Sequence, residues 1–141
     1  MPFAANPIAS GRHEFRLKLL RDSEDQDSAG AGFGFVTPGA MNSELLDTDG
    51  GDGLWWLRRF ETTVYTGVHG AIHHMNMPEG AEVRMVLDMH AKEATFFVDG
   101  KELPSKATGI NEPVLPCVIC YGVYHERWPM CFELRGSALS S

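Results

Sequence analysis

Residues 82–102, EVRMVLDMHAKEATFFVDGKE, restrict the chain more than any other stretch. In the first half Val83, Met85, Leu87 and Met89 fall on alternate positions. Glu82, Arg84, Asp88 and His90 fill the other face, with Val86 its only apolar member. Successive side chains of a strand point to opposite faces, so this is a half-buried strand. Phe96 and Phe97 then stand side by side, which a strand accommodates by sending one ring into a core and the other to the opposite surface. Asp99-Gly100 is a strong hairpin signal, because a tight primed turn needs positive φ and these residue types tolerate it. The stretch therefore predicts two strands of an antiparallel sheet.

The same reading extends along the chain. RHEFRLKLL from Arg12 alternates, with His13, Phe15, Leu17 and Leu19 on one face. AGFGFVTPG is a glycine-rich strand in which small residues permit close backbone approach. LWWLRRFETTVY is β-rich, GAIHHMNMPEG is a short strand entering a turn, and MCFELRG supplies a last strand. PVLPCVICYGVY is a nearly continuous apolar run, which predicts a central strand buried on both faces. DSEDQDSAG and AMNSELLDTDGGDG read as acidic loops. No stretch carries a helical period of useful length. About ten short strands separated by turn signals predict an all-β sandwich or barrel with little or no helix.

A length of 141 residues suits one domain spanning 1–141, with 1–9 as a leading segment. A net charge of −7 opposes nucleic-acid and anionic-membrane partners, which need a basic footprint. No run approaches the ~18 apolar residues that span a bilayer. Three cysteines make no disulfide framework, which points to a reducing, intracellular or cytoplasmic setting.

Read in order, the pieces resemble a SPRY domain. SGRHEFRLKL from Ser10 resembles that family's Ser-Gly-basic-His-aromatic strand, GFGFVT its glycine-containing strand and GLWWL its tryptophan strand. VRMVLDMHAKEATFFVDGKEL is similar to its most diagnostic stretch, and VLPCVICYG to the Leu-x-Pro strand that follows. The chain departs from the family pattern after His13, where Glu14, Phe15 and Arg16 replace an aromatic pair and Glu. The strands that often precede Ser-Gly are almost absent, which suggests a domain from a longer protein or a shortened variant. The resemblance implies a two-sheet sandwich of concanavalin A-like topology and non-catalytic recognition of a peptide or partner protein through loops at one end.

Other chemistries fit less well. Asp47–Gly53 invites a calcium reading, but an EF-hand counted from Asp47 would set Gly51, Asp52 and Arg58 at its fifth, sixth and twelfth positions. That fails the motif, and a solvated acidic loop is favoured. His69 and His73 would share a strand face and His74 the other, with no further ligand at conventional spacing, so no metal site is expected. Cys117 and Cys120 of CVIC would face opposite sides of a strand, as buried reduced thiols. No nucleophile elbow or phosphate loop is present, so no catalytic residues and no cofactor are expected.

The connection CYGVYHERWPM concentrates Tyr121, Gly122, Tyr124, His125, Arg127 and Trp128, and Tyr, Trp and Arg dominate binding hot spots. The resemblance adds Thr37, the following loop with Met41, Leu45 and Leu46, and Asn6-Pro7 ahead of Ser-Gly. These residues are expected to meet at one end of the sandwich. Glu44, Asp47 and Asp49 would give an acidic rim that favours a ligand with Lys or Arg beside an apolar anchor. The expectation is a monomeric interaction domain within a larger scaffold or adaptor. The alternative is a lectin-like module that binds a glycan through a calcium-loaded acidic loop.

Overall fold

The computed structural model describes residues 6–19, 32–41, 53–58, 62–67, 69–73, 77, 80–119 and 132–140. One sheet holds β1 (Arg12–Leu19), β6 (Glu82–Asp88), β7 (Glu93–Val98), β8 (Lys101–Glu102), β9 (Ala107–Thr108) and β11 (Phe132–Ser140). Its order is β11-β1-β6-β7-β8, with β9 also on β7. The second sheet holds β2 (Gly32–Val36), β3 (Leu54–Arg58), β4 (Thr63–Thr66), β5 (His69–Ile72) and β10 (Leu115–Ile119), in the order β10-β2-β3-β4-β5. All the pairings are antiparallel. One turn of helix, α1 (Pro38–Met41), accompanies them. The molecule is an antiparallel β-sandwich, the one of the two all-β forms that the resemblance implies.

The core lies between the sheets and is built from alternate residues. Phe15, Leu17 and Leu19 of β1, Val83, Met85 and Leu87 of β6, and Ala94, Phe96 and Val98 of β7 meet Phe33, Phe35, Trp55, Leu57 and Val64 of the other sheet. Phe96 is fully buried, edge-on to Phe33 with ring centroids 6.0 Å apart. Phe97 points to the outer face, where the Arg84 guanidinium lies 3.9 Å from its ring centroid. The Asp99-Gly100 turn has φ of 50° and 81°, the left-handed pair a primed hairpin requires. Asp99 also accepts a 2.9 Å hydrogen bond on Oδ1 from the Glu82 N–H, which ties the turn to the start of β6.

Trp55 and Trp56 repeat the two-faced logic. Trp55 enters the core, whereas Trp56 joins Val36, Leu54, Leu115 and Cys117 in a second buried cluster on the outer side of the five-stranded sheet. Trp56 stacks on Tyr65 at 5.3 Å. The glycines of β2 make this packing possible: a Cβ at Gly32 would stand 2.5 Å from Leu57 O and the Trp56 ring. At Gly34 it would collide with the Trp55 carbonyl and the Trp56 Cα.

One placement corrects the sequence reading. β10, expected as a central strand, pairs only with β2 and is the edge of its sheet among the described residues. Pro116 within it has no N–H for a second neighbour, which fits an edge. Its apolar run is nevertheless buried on both faces: Cys117 joins the outer cluster while Val118 packs against the core.

Candidate functional site

Three contacts bring the two sheets into register at one end. Trp55 Nε1 donates to the Thr108 carbonyl at 2.8 Å, and the Thr108 N–H donates to Thr66 Oγ1 at 3.1 Å. Ile8 pairs with Val114 through N–H···O bonds of 2.7 and 3.1 Å. Val114 immediately precedes Leu115, which faces Val36, and Val36 faces Leu54. This bridge ties Asn6 and Pro7, both exposed, to the start of β10, at the same end of the sandwich as the exit of β2.

At that exit Thr37 is buried, at 8 % exposure, and its N–H donates to the Gly53 carbonyl at 2.9 Å. This bond closes the base of the 37–53 connection. Thr37 holds the N-cap position of α1 and Pro38 its first helical position, the residue types those places favour. Met41 ends this turn of helix. Asn6, Pro7, Thr37 and the start of the Met41 loop therefore gather at one end. Sequence reasoning did not name Asn111, Glu112 and Pro113, exposed just ahead of the Val114 bridge. The only signal for them was the turn-forming Gly109 and Pro113.

Charges of both signs line the end. Arg12 faces Asp88 across the strands, and Lys92 and Glu112 are exposed. The Asp88 carboxylate is held below the usual range because Oδ1 accepts the backbone N–H groups of Ala91 and His90, each at 3.0 Å.

Leu45, Leu46, Tyr121, Gly122, Tyr124, His125, Arg127 and Trp128 lie outside the described residues, as do Glu44, Asp47 and Asp49. The strands that anchor their segments are described, and they correct one expectation. The 37–53 connection leaves at Val36, opposite Leu115. The segment carrying Tyr121 to Trp128 leaves β10 at Ile119, opposite Gly32, and re-enters β11 at Phe132, opposite Leu19. The two connections are anchored at opposite ends of the sandwich, not at one.

The reason is a matter of parity. β8 and β9 both run antiparallel to β7, as two pieces of one passage. Counted as two strands they suggest a return to the starting end. Counted as one they bring β10 back along β2 in the opposite direction.

The remaining candidates carry no ligand set. Among the described residues no group of three or more His, Cys, Asp or Glu could hold a metal ion. His69 is exposed on β5, and the His73 Nε2 is buried without a hydrogen-bond partner. Burial pushes the Cys117 thiol up to about 12, which keeps it protonated and unreactive. His74 and Cys120 lie outside the described residues, as do residues 47–52 of the acidic loop. Among the described residues no helix is long and apolar enough to cross a membrane.

Two antiparallel sheets enclosing one core, with a bridged leading segment at one end, define an antiparallel β-sandwich. The particular form is the SPRY fold. The chain is similar to the SPRY domain of human HERC1, with a TM-score of 0.67 over 86 % of this chain and 74 % of that one, at 18 % identity. It is similar to the PSpry domain of TRIM65, with a TM-score of 0.54 over 97 % of this chain and 68 % of that one, at 16 % identity. No family model matches the sequence, and no curated protein matches it.

Proposed function

We propose that this chain is a non-catalytic protein-interaction module, working as one domain of a larger intracellular protein. Its ligand is a peptide or partner protein read at the end where the leading segment meets the exit of β2. The observation that carries this reading is the Ile8–Val114 bridge, which ties the leading segment with exposed Asn6 and Pro7 to the start of β10, at the end where the 37–53 connection is anchored. A rigid sandwich presenting irregular segments is a common arrangement for recognition. The SPRY-like fold supports the same reading. In the 37–53 connection the apolar Met41, Leu45 and Leu46 stand among Glu44, Asp47 and Asp49, a composition that suits a ligand with a basic residue beside an apolar anchor.

Selection of a displayed peptide library on the 141-residue chain tests this. The selected peptides should carry Lys or Arg next to an apolar side chain. Asn6→Ala with Pro7→Ala should weaken them by about tenfold or more while leaving the melting temperature unchanged, as for truncation of exposed contact residues. Peptides that bind both forms equally would place recognition elsewhere. Tyr124→Ala then asks whether the segment anchored at the other end takes part: a loss of binding with the fold intact would bring it into the site.

A further inference from the structure

β11 is nine residues long and forms the outer edge of the six-stranded sheet among the described residues. Its register against β1 slips once. Leu17 faces Leu134, but Arg16 faces Gly136, so Arg135 is the inserted residue of a bulge. An unbroken register would set Arg135 opposite Arg16, which already faces Arg84 on its other side. Three guanidinium groups in one cross-strand row would repel one another. The bulge puts a residue without a side chain there instead.

The two remaining arginines are held in opposite directions. Arg84 pairs with Glu14 at 3.0 Å and covers the Phe97 ring. Arg16 lies across Gly136, where a Cβ would stand only 2.6 Å from its Nη2. The Arg16 guanidinium is therefore directed to the edge of the sheet. It is exposed, and no described carboxylate lies within ion-pair distance of it. Beside it Leu134, on the core side next to Leu17, is 44 % exposed.

We propose that β11 accepts an added strand from a partner, an extended acidic segment. The backbone of that segment would pair with the edge of β11, its carboxylate would meet Arg16 across Gly136, and an apolar residue on its other face would cover Leu134. Edge addition draws affinity from main-chain hydrogen bonds and specificity from alternate side chains. Arginine suits a carboxylate because its planar fork can donate two parallel bonds. A second copy of this chain is a poorer occupant, since antiparallel pairing about Gly136 would bring two Arg16 guanidiniums together. The net charge of −7 repels an acidic segment at long range, so this edge selects by contact and not by steering. The opposite charge preference separates it from the basic ligand proposed for the loop end, and either reading can fail alone.

The test uses a fluorescein-labelled nine-residue peptide alternating Glu with Val and Thr, and its counterpart with Lys for Glu. Anisotropy should show saturable binding of the Glu peptide by the 141-residue chain and much weaker binding of the Lys peptide. Hydrogen exchange should slow at residues 132–140 on addition of the Glu peptide and stay unchanged at β5, an edge of the other sheet among the described residues. Arg16→Gln should weaken binding by about 10- to 100-fold, the loss of a charge-assisted contact. Arg16→Glu should invert the preference toward the Lys peptide. Arg16 is exposed, so the melting temperature of both variants should hold. Equal binding by wild type and Arg16→Gln, absence of slowing in β11, or slowing that rises with protein concentration without peptide would each overturn the proposal.

Discussion

Phe96 and Phe97 are adjacent, chemically identical and placed on opposite sides of one sheet, so a paired truncation measures what the interior of this sandwich is worth. Phe96→Ala empties a fully buried position between the sheets and removes the edge-on contact with Phe33 at 6.0 Å. Phe-to-Ala changes in well-packed cores cost about 3–5 kcal/mol, and the aromatic contact accounts for about 0.5–1.5 kcal/mol of stabilisation beyond area burial. A domain of this size has about 5–15 kcal/mol in total, so the variant should lose a large fraction of it. Its melting temperature should fall by about 10–20 °C. Phe97→Ala removes a half-buried ring beneath Arg84, a loss of about 1–2 kcal/mol from partial burial and the cation–π contact. Urea unfolding followed by the fluorescence of the three tryptophans reads both variants. Equal losses at the two positions would refute the assignment of faces, and a loss below about 1 kcal/mol at Phe96 would refute the packing of the core.

Gly34→Ala should destabilise by about 1–3 kcal/mol, because its Cβ would meet the Trp55 carbonyl and the Trp56 backbone, whereas Gly39→Ala, with nothing within 4 Å, should be nearly neutral. Chemical denaturation of the two variants side by side decides it. The raised Cys117 pKa means that the folded state holds its proton more tightly than the unfolded chain does. Its contribution is complete below pH 9.0 and should fall by about 1.4 kcal/mol per pH unit toward about 12. The stability difference between wild type and Cys117→Ala should therefore narrow over that window, and native Cys117 should resist alkylation at pH 8. For Asp88 the folded pKa lies below 3.8, so its contribution is present above that value and is lost as pH falls through the folded pKa. Asp88→Ala should show a flatter acid limb than wild type in thermal melts between pH 5 and 2, and parallel limbs would count against the carboxylate's role in the turn.

Much of the fold was legible because a strand declares its faces. Val83, Met85 and Leu87, then Phe15, Leu17 and Leu19, occur at every second position and are buried. Asp99-Gly100 announced a turn that its positive φ values require. The position of a strand within a sheet is harder to read. The run around Leu115 is apolar because two clusters, one on each side of the sheet, claim alternate residues, and apolar character alone does not say how many neighbours a strand has. Pro116 did carry that information, through its missing N–H. The bulge at Arg135 left no signal in the alternation, since it arises where Arg16 and its cross-strand partners meet and not within β11 itself.

Where the candidate residues are anchored was legible only in part. Asn6 and Pro7 are tied to the same end of the sandwich as Thr37 by the pairing of Ile8 with Val114, segments more than a hundred positions apart. Which end receives the aromatic segment after Ile119 depends on whether residues 101–108 count as one passage or two. In the structure this stretch forms two two-residue strands on either side of Pro104. Direction is conserved across that interruption because Leu103 is buried in the core and its N–H donates to the Phe96 carbonyl at 2.9 Å, which keeps the chain moving along β7. The passage therefore runs back along β7 as one, and β10 runs from the Thr37 end to the Leu19 end. The aromatic connection and the leading segment are consequently anchored a full strand apart.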